Sequence, residues 1–176
     1  MHLYLGQGAK VTAHYNSNVK TLEPILSEYG PDKIQAFQAD LSKENDAIHL
    51  FAGATSSFGP VHIIIVNHGI YVAEDVPLVQ MSLKQWNSTM DIDLTSSFLV
   101  TREYLRGLQA APENVKDYAS IIFIGSCAGK FGNYLTFLLE ATLKLKIDTQ
   151  AMQIMQIMLL RKVVHISSQP IQLPYQ

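Results

Sequence analysis

The sequence predicts an α/β fold: a doubly wound parallel sheet with helices on both faces, followed by a helical C-terminal tail. Two observations carry this reading. Short β-branched or apolar runs at residues 10–15, 34–39, 62–67 and 120–126 alternate with polar turns and segments of helical spacing, the rhythm of βαβ units. The run Ile63-Ile64-Ile65-Val66 is apolar at every position, so this strand is expected to be parallel and covered on both faces.

Taken in order, residues 18–29 and 43–58 are the first crossover helices. The second of these places Ile48, Phe51 and Ala52 on one face and stops at Gly59-Pro60. After Pro77, Leu83, Trp86, Met90, Leu94 and Phe98, then 101–105, recur at intervals of three or four, so one long helix is predicted to pack on the sheet and end near Gly107. Residues 110–116 read as a polar loop. From Gly132 to Pro170 there is neither Gly nor Pro, and Met152, Met155 and Met158 lie close together. This is expected to be a long helix needing cover, with 163–166 as a last short strand. The expected organisation is one domain, 1–176, with a core over 1–132 and a divergent tail over 133–176.

Composition narrows the function. With 176 residues, 48% hydrophobic and 16% charged, the chain is long and apolar enough to bury a core without disulfides or metal. A net charge of −2, with Lys and Arg scattered, gives no electrostatic footprint for nucleic acid or an anionic membrane. Cys127 is the single cysteine, and the six His form neither H-E-x-x-H nor a zinc spacing, so no metal and a reducing, cytoplasmic setting are expected. The most apolar tail segment, 154–160, contains Gln156 and is too short to span a bilayer. The Asn87-Ser88-Thr89 sequon reads as ordinary helix residues.

Ligands bind at the carboxyl ends of strands in such sheets. Those ends carry Asn16-Ser17-Asn18, Asp40-Leu41, Asn67-His68-Gly69 and Gly125-Ser126-Cys127. In order and spacing they resemble the short-chain dehydrogenase/reductase family over about residues 1 to 132. The resemblance implies a Rossmann-like fold and an oxidoreductase moving a hydride between NAD(P) and a carbonyl or secondary alcohol. It implies that Asp40 and Leu41 hold the adenine, and that Asn67 and Gly69 are an altered form of the signature after the fourth family strand. It implies Asn16 and Ser17 beside the adenosine ribose, and Ser126 and Tyr134 as the catalytic pair. Other readings stand beside these: Asp40 as the N-cap of the next helix and Asn67 as a turn residue bonding its own backbone. No carboxylate follows the first strand and Lys20 is near, so NADP is favoured over NAD.

The departures are specific. Leu138 follows Tyr134 where the family has Lys, and Asp93 stands where it usually has Asn; the alternative for Asp93 is a solvated or capping carboxylate. Gly6-Gln7-Gly8 precedes a strand instead of following one, so it reads as a helix C-cap. Gly125-Ser126-Cys127 is no hydrolase elbow, because Ile124 stands where the first Gly belongs. By resemblance the sheet is incomplete, its first strand and Gly-rich turn missing from a truncated chain. Strands 10–15 and 62–67 are then expected to pair directly in parallel, cofactor binding to be weak and catalysis impaired. The alternative is a catalytically silent nucleotide-binding or protein-interaction module using its Met-rich tail. Any homo-oligomer is expected to form through the long helix or the tail.

Overall fold

The structure is a computed structural model, and it describes residues 1–70 and 76–125. The order is α1 (His2–Gly6), β1 (Val11–Tyr15), α2 (Glu23–Tyr29), β2 (Ile34–Gln38), α3 (Glu44–Phe58), β3 (Ile63–Val66), a 3₁₀ turn (Leu78–Gln80), α4 (Leu83–Thr89), a π-helical segment (Met90–Thr95), α5 (Ser96–Ala110), α6 (Glu113–Lys116) and β4 (Ser120–Phe123). All belong to one compact unit, Met1–Ile124; the second unit, Gly125–Gln176, lies almost wholly outside the described residues. No described helix is long and apolar enough to cross a membrane.

Every strand pairing among the described residues is parallel, as expected. β1 pairs with β2, Val11 opposite Ile34, and β3 pairs with β4, Ile63 opposite Ser120. Among the described residues, however, the strands form two separate two-stranded sheets. The direct pairing expected between β1 and β3 is therefore absent. The crossover between β2 and β3, α3, packs on both pairs. Its Phe51 joins the cluster of Ala39, Leu41, Ile64 and Val66, while Gly53 lets the Phe37 ring of β2 approach so closely that an added Cβ would sit 2.5 Å from it. The two pairs border a cleft lined by Val11–His14 and Ile63–Val66.

Each sheet has its own core. Leu5, Ala13, Leu22, Ile25 and Ile34 pack α1 and α2 on the first; Tyr104, Leu108, Val100 and Val115 pack α5 and α6 on the second. The alternation of β3 shows what the second sheet lacks. Ile64 and Val66 are buried, but Ile63 and Ile65 are 44% and 45% exposed. The expectation of cover on both faces fails here because α3 and α5 both lie on one face and no described helix lies on the other.

The predicted long helix is present but misphased. Leu83 and Phe98 from the apolar line are exposed, whereas Thr89, Asp93, Ser96 and Ser97 are buried and lead into Val100, Tyr104 and Leu108. The segment Met90–Thr95 is π-helical, and such a turn carries an extra residue that rotates the face presented to the core. Of segment 110–116, read as loop, Ala110 still ends α5 and Glu113–Lys116 close as the single turn of α6, with Pro112 preceding its first residue.

Tyr104 closes the second core: it is 2% exposed and its hydroxyl donates to the carbonyl of His62 at 2.5 Å. Burial raises its phenol pKa, so the neutral form is favoured in the fold and its contribution holds below about pH 10, falling only as pH rises beyond the ordinary tyrosine value. The His62 carbonyl keeps its bond from the Ser120 N–H when the hydroxyl is removed. Tyr104→Phe should therefore cost only about 1 kcal/mol, and Tyr104→Ala about 3–5 kcal/mol, by urea unfolding at pH 7.

Candidate functional site

The site is assembled at the carboxyl ends of the strands. After β1, Asn16 and Ser17 are both exposed, within reach of a ligand. Two residues before Asn16, His14 ties this end to the next: its Nε2 lies 2.8 Å from the carbonyl of Ala39, and because a carbonyl can only accept, Nε2 carries the proton. His14 has no signature in the sequence; only its position one residue from a strand end marks it.

After β2, the chain turns through 40–43. Asp40 Oδ1 accepts from the N–H and hydroxyl of Ser42 at 3.2 and 2.6 Å, and Oδ2 lies 3.1 Å from Lys43 Nζ. The Ser42 hydroxyl first, then Lys43, holds its carboxyl below the usual carboxylate range. Asp40 is not the cap of the following helix, as one reading had it. Lys43 occupies that position without a side-chain cap, and Asp46 in the first turn of α3 reaches back to accept from the Asp40 N–H at 2.9 Å. Leu41 is buried in the core with Ile64 and Val66, so only its backbone is available to a ligand.

After β3, Asn67 and Gly69 are exposed. Asn67 makes no side-chain hydrogen bond among the described residues, so the reading of it as a self-bonded turn residue is not met. Loop 67–70 is instead anchored from the π segment. Asp93, 3% exposed, accepts from the Ile70 N–H at 3.0 Å through Oδ1, so it is neither solvated nor a helix cap. Ser96 Oγ donates to the Ile92 carbonyl and Ser97 Oγ donates to the Asp93 carbonyl, satisfying acceptors of the widened turn. Each hydroxyl has thereby spent its one hydrogen. His68 Nε2, 2.6 Å from Ser96 Oγ and 3.3 Å from Ser97 Oγ, must then be the donor to both. Sequence reading missed His68, Ser96 and Ser97; small polar residues on the inner line of an otherwise apolar helix were the available signal.

Gly6-Gln7-Gly8 lies where the C-cap reading put it: Gln7 caps α1 and Gly8, with φ of +89°, takes the left-handed position just beyond. Ser126, Cys127, Tyr134, Leu138 and the Met-rich tail lie outside the described residues.

The short chain dehydrogenase family profile matches residues 2–141. The chain is 31% identical over 105 residues to a short-chain type dehydrogenase/reductase of Picea abies, covering 55% of this chain and 39% of that protein. It is similar in fold to serine dehydrogenase of Escherichia coli, with a TM-score of 0.71 and 21% identity over 87% of this chain and 66% of that one. The closed form of serine dehydrogenase complexed with NADP+ is similar at a TM-score of 0.73 and 21% identity, over 87% of this chain and 58% of that one. The chain therefore spans about two fifths of that curated relative and less than two thirds of those structures.

Two outcomes follow from the anchoring of the strand ends. Asp93→Asn keeps an acceptor for the Ile70 N–H and should change stability by less than about 1 kcal/mol, whereas Asp93→Ala strands that donor and should cost about 1–3 kcal/mol; urea unfolding measures both. The depressed pKa of Asp40 makes its contribution full above the ordinary carboxylate value and lost as pH falls through the lower folded value. The stability difference between the native protein and Asp40→Asn should accordingly be larger at pH 7 than at pH 2.5.

Proposed function

Because the chain belongs to the short-chain dehydrogenase family, we propose that it binds the adenosine half of a nicotinamide dinucleotide across the ends of β1, β2 and β3, NADP in preference to NAD. Carbonyl or secondary-alcohol oxidoreduction is the corresponding reaction, impaired or silent in this chain. The observation that carries the reading is the joint anchoring of three strand ends. The His14–Ala39 bond fixes the first to the second, the Ser42–Asp40–Lys43 turn shapes the second, and Asp93 holds the loop after the third.

The donor set fits one half of the group. Asn16 and Ser17 are neutral and exposed, no carboxylate stands at 15–18, and Lys20 is exposed nearby, which suits a ribose 2′-phosphate better than a 2′-hydroxyl. The similarity to an NADP+ complex of serine dehydrogenase supports the same choice. Asp40 would meet the adenine amino group as an ionised acceptor, and the Leu41 backbone the ring edge. The pyrophosphate half is not matched: among the described residues no Gly-rich turn joins a strand to a helix N-terminus, the arrangement that cradles phosphates.

When bound, the dinucleotide supplies hydride chemistry. Toward it, this chain offers Asn67 and Gly69 as exposed contacts and Asp93 with His68 as positioning residues for their loop. Ser126 and Tyr134 are proposed as hydrogen-bond partner of a substrate carbonyl and proton donor to the nascent alkoxide. A phenol of ordinary pKa near 10 is a poor donor at neutral pH without a cation beside it, and Leu138 supplies none. A cytoplasmic setting accords with the single Cys127.

Titration of NADPH and NADH by dihydronicotinamide fluorescence tests the proposal. If a complete site binds at about 1 μM, losing roughly 4 kcal/mol of phosphate contacts gives a Kd of about 1 mM. NADPH is expected to bind at that level and more tightly than NADH, with Lys20→Ala narrowing the difference. A low-micromolar Kd or a preference for NADH would overturn it. Carbonyl reduction should stay near the uncatalysed rate; measurable turnover abolished by both Ser126→Ala and Tyr134→Phe would show a working catalytic pair.

A further inference from the structure

The carboxylate just beyond β2 has two unequal oxygens. Oδ1 of Asp40 takes both donors of Ser42, the backbone N–H at 3.2 Å and the hydroxyl at 2.6 Å. Asp46 closes the same turn from α3, its Oδ2 accepting from the Asp40 N–H at 2.9 Å. Oδ2 of Asp40 has a different neighbour, the Lys43 ammonium, 3.1 Å away on a side chain that is 67% exposed. Donors fixed by the turn are costly to displace, whereas an exposed ion pair contributes little and exchanges readily. Oδ2 is therefore the oxygen open to exchange with a ligand.

A ligand that reaches Oδ2 meets Lys43 as well. The Lys43 pKa is raised, chiefly by its hydrogen bond to Asp40, with the charge of Asp46 adding to it, so the group is an ammonium at neutral pH and Asp46 still attracts it when Asp40 turns to a ligand. Its side chain has no other task in the turn, for it stands before α3 without capping it. The end of β2 thus presents two complementary groups side by side. The carboxylate oxygen only accepts, and the ammonium only donates.

We propose that Lys43 sets the base specificity of the nucleotide site, admitting 6-oxopurine nucleotides beside adenine nucleotides; this rests on the placement of the purine edge at Asp40 under the proposed function. The 6-amino group of adenine is a donor and pairs with Oδ2 alone. Hypoxanthine has a carbonyl acceptor at that position and an N–H donor next to it, a pair that the Lys43 ammonium and Oδ2 match together. Without Lys43 the same carbonyl would meet only a carboxylate, and two acceptors facing each other are rejected because neither is satisfied. Discrimination between the bases is then a property of the Asp40–Lys43 pair, not of Asp40 alone.

The experiment uses the full chain, isotope-labelled for NMR, titrated with NADP+ and with its hypoxanthine counterpart, deamino-NADP+. The amide shifts of Leu41, Ser42, Asn67 and Gly69 report binding, a readout suited to millimolar affinity. In the native protein the two Kd values are expected to agree within about threefold. Lys43→Ala, which removes an exposed side chain that caps nothing, should weaken deamino-NADP+ at least about fivefold and leave NADP+ unchanged or slightly tighter, while Lys43→Arg keeps both. A wider native preference for either base, or a ratio of affinities that Lys43→Ala does not move, overturns the inference. Asp40→Ala tells that failure from a failure of the underlying reading. If it weakens NADP+ at least about fivefold, the base lies at Asp40 and only the role of Lys43 is wrong. If it leaves both affinities unchanged, or if neither nucleotide shifts these amides in the native protein, the placement of the base falls and the inference with it.

Discussion

The described unit is organised around one crossover, α3, which packs against both pairs of strands. It buries Ala47 completely and Ala54 to 5% exposure; these small residues, with Gly53, let strands approach its backbone. Phe37 of the first sheet and Ile64 and Val66 of the second consequently share a helix without sharing a hydrogen bond. The contact between Arg102 of α5 and Glu44 at the start of α3, 2.6 Å at a partly exposed site, adds orientation more than stability, since exposed pairs contribute about 0–1 kcal/mol.

A second constraint lies in the widened turn between α4 and α5. A hydrophobic stripe on that helix would have packed more area, yet the buried line runs through Thr89, Asp93, Ser96 and Ser97 before becoming apolar at Val100. Burying such groups costs free energy unless each is bonded, and here the bonds to Ile70, Ile92, His68 and the helix's own carbonyls supply that compensation. The same atoms that make the turn tolerable hold loop 67–70 in place. Local stability and the position of a candidate binding loop are thus one network, and changes to it register in both.

The carboxylate at the end of β2 has its charge already compensated within its own turn. The Asp40 carboxylate is already satisfied by Ser42 and Lys43, so a ligand there exchanges one set of bonds for another and gains only the difference. Nothing comparable to a phosphate cradle accompanies it among the described residues.

What the sequence determined by itself is what local spacing controls. The βαβ rhythm located all four described strands to within a few residues, the Gly59-Pro60 stop ended α3, and the glycines at 6 and 8 announced a helix end. That Asp40, Asn67 and Gly69 stand just beyond strand ends was legible for the same reason. The tertiary structure decided what depends on distant partners. That Asp93 is buried and bonded to Ile70, that His14 joins two strand ends, and that His68 bridges two serines could not be read locally, because each bond spans more than twenty residues. The helix phase was misread for a related reason: hydrophobic periodicity assumes that the inner face is apolar and the pitch constant, and a π turn lined with polar residues breaks both assumptions.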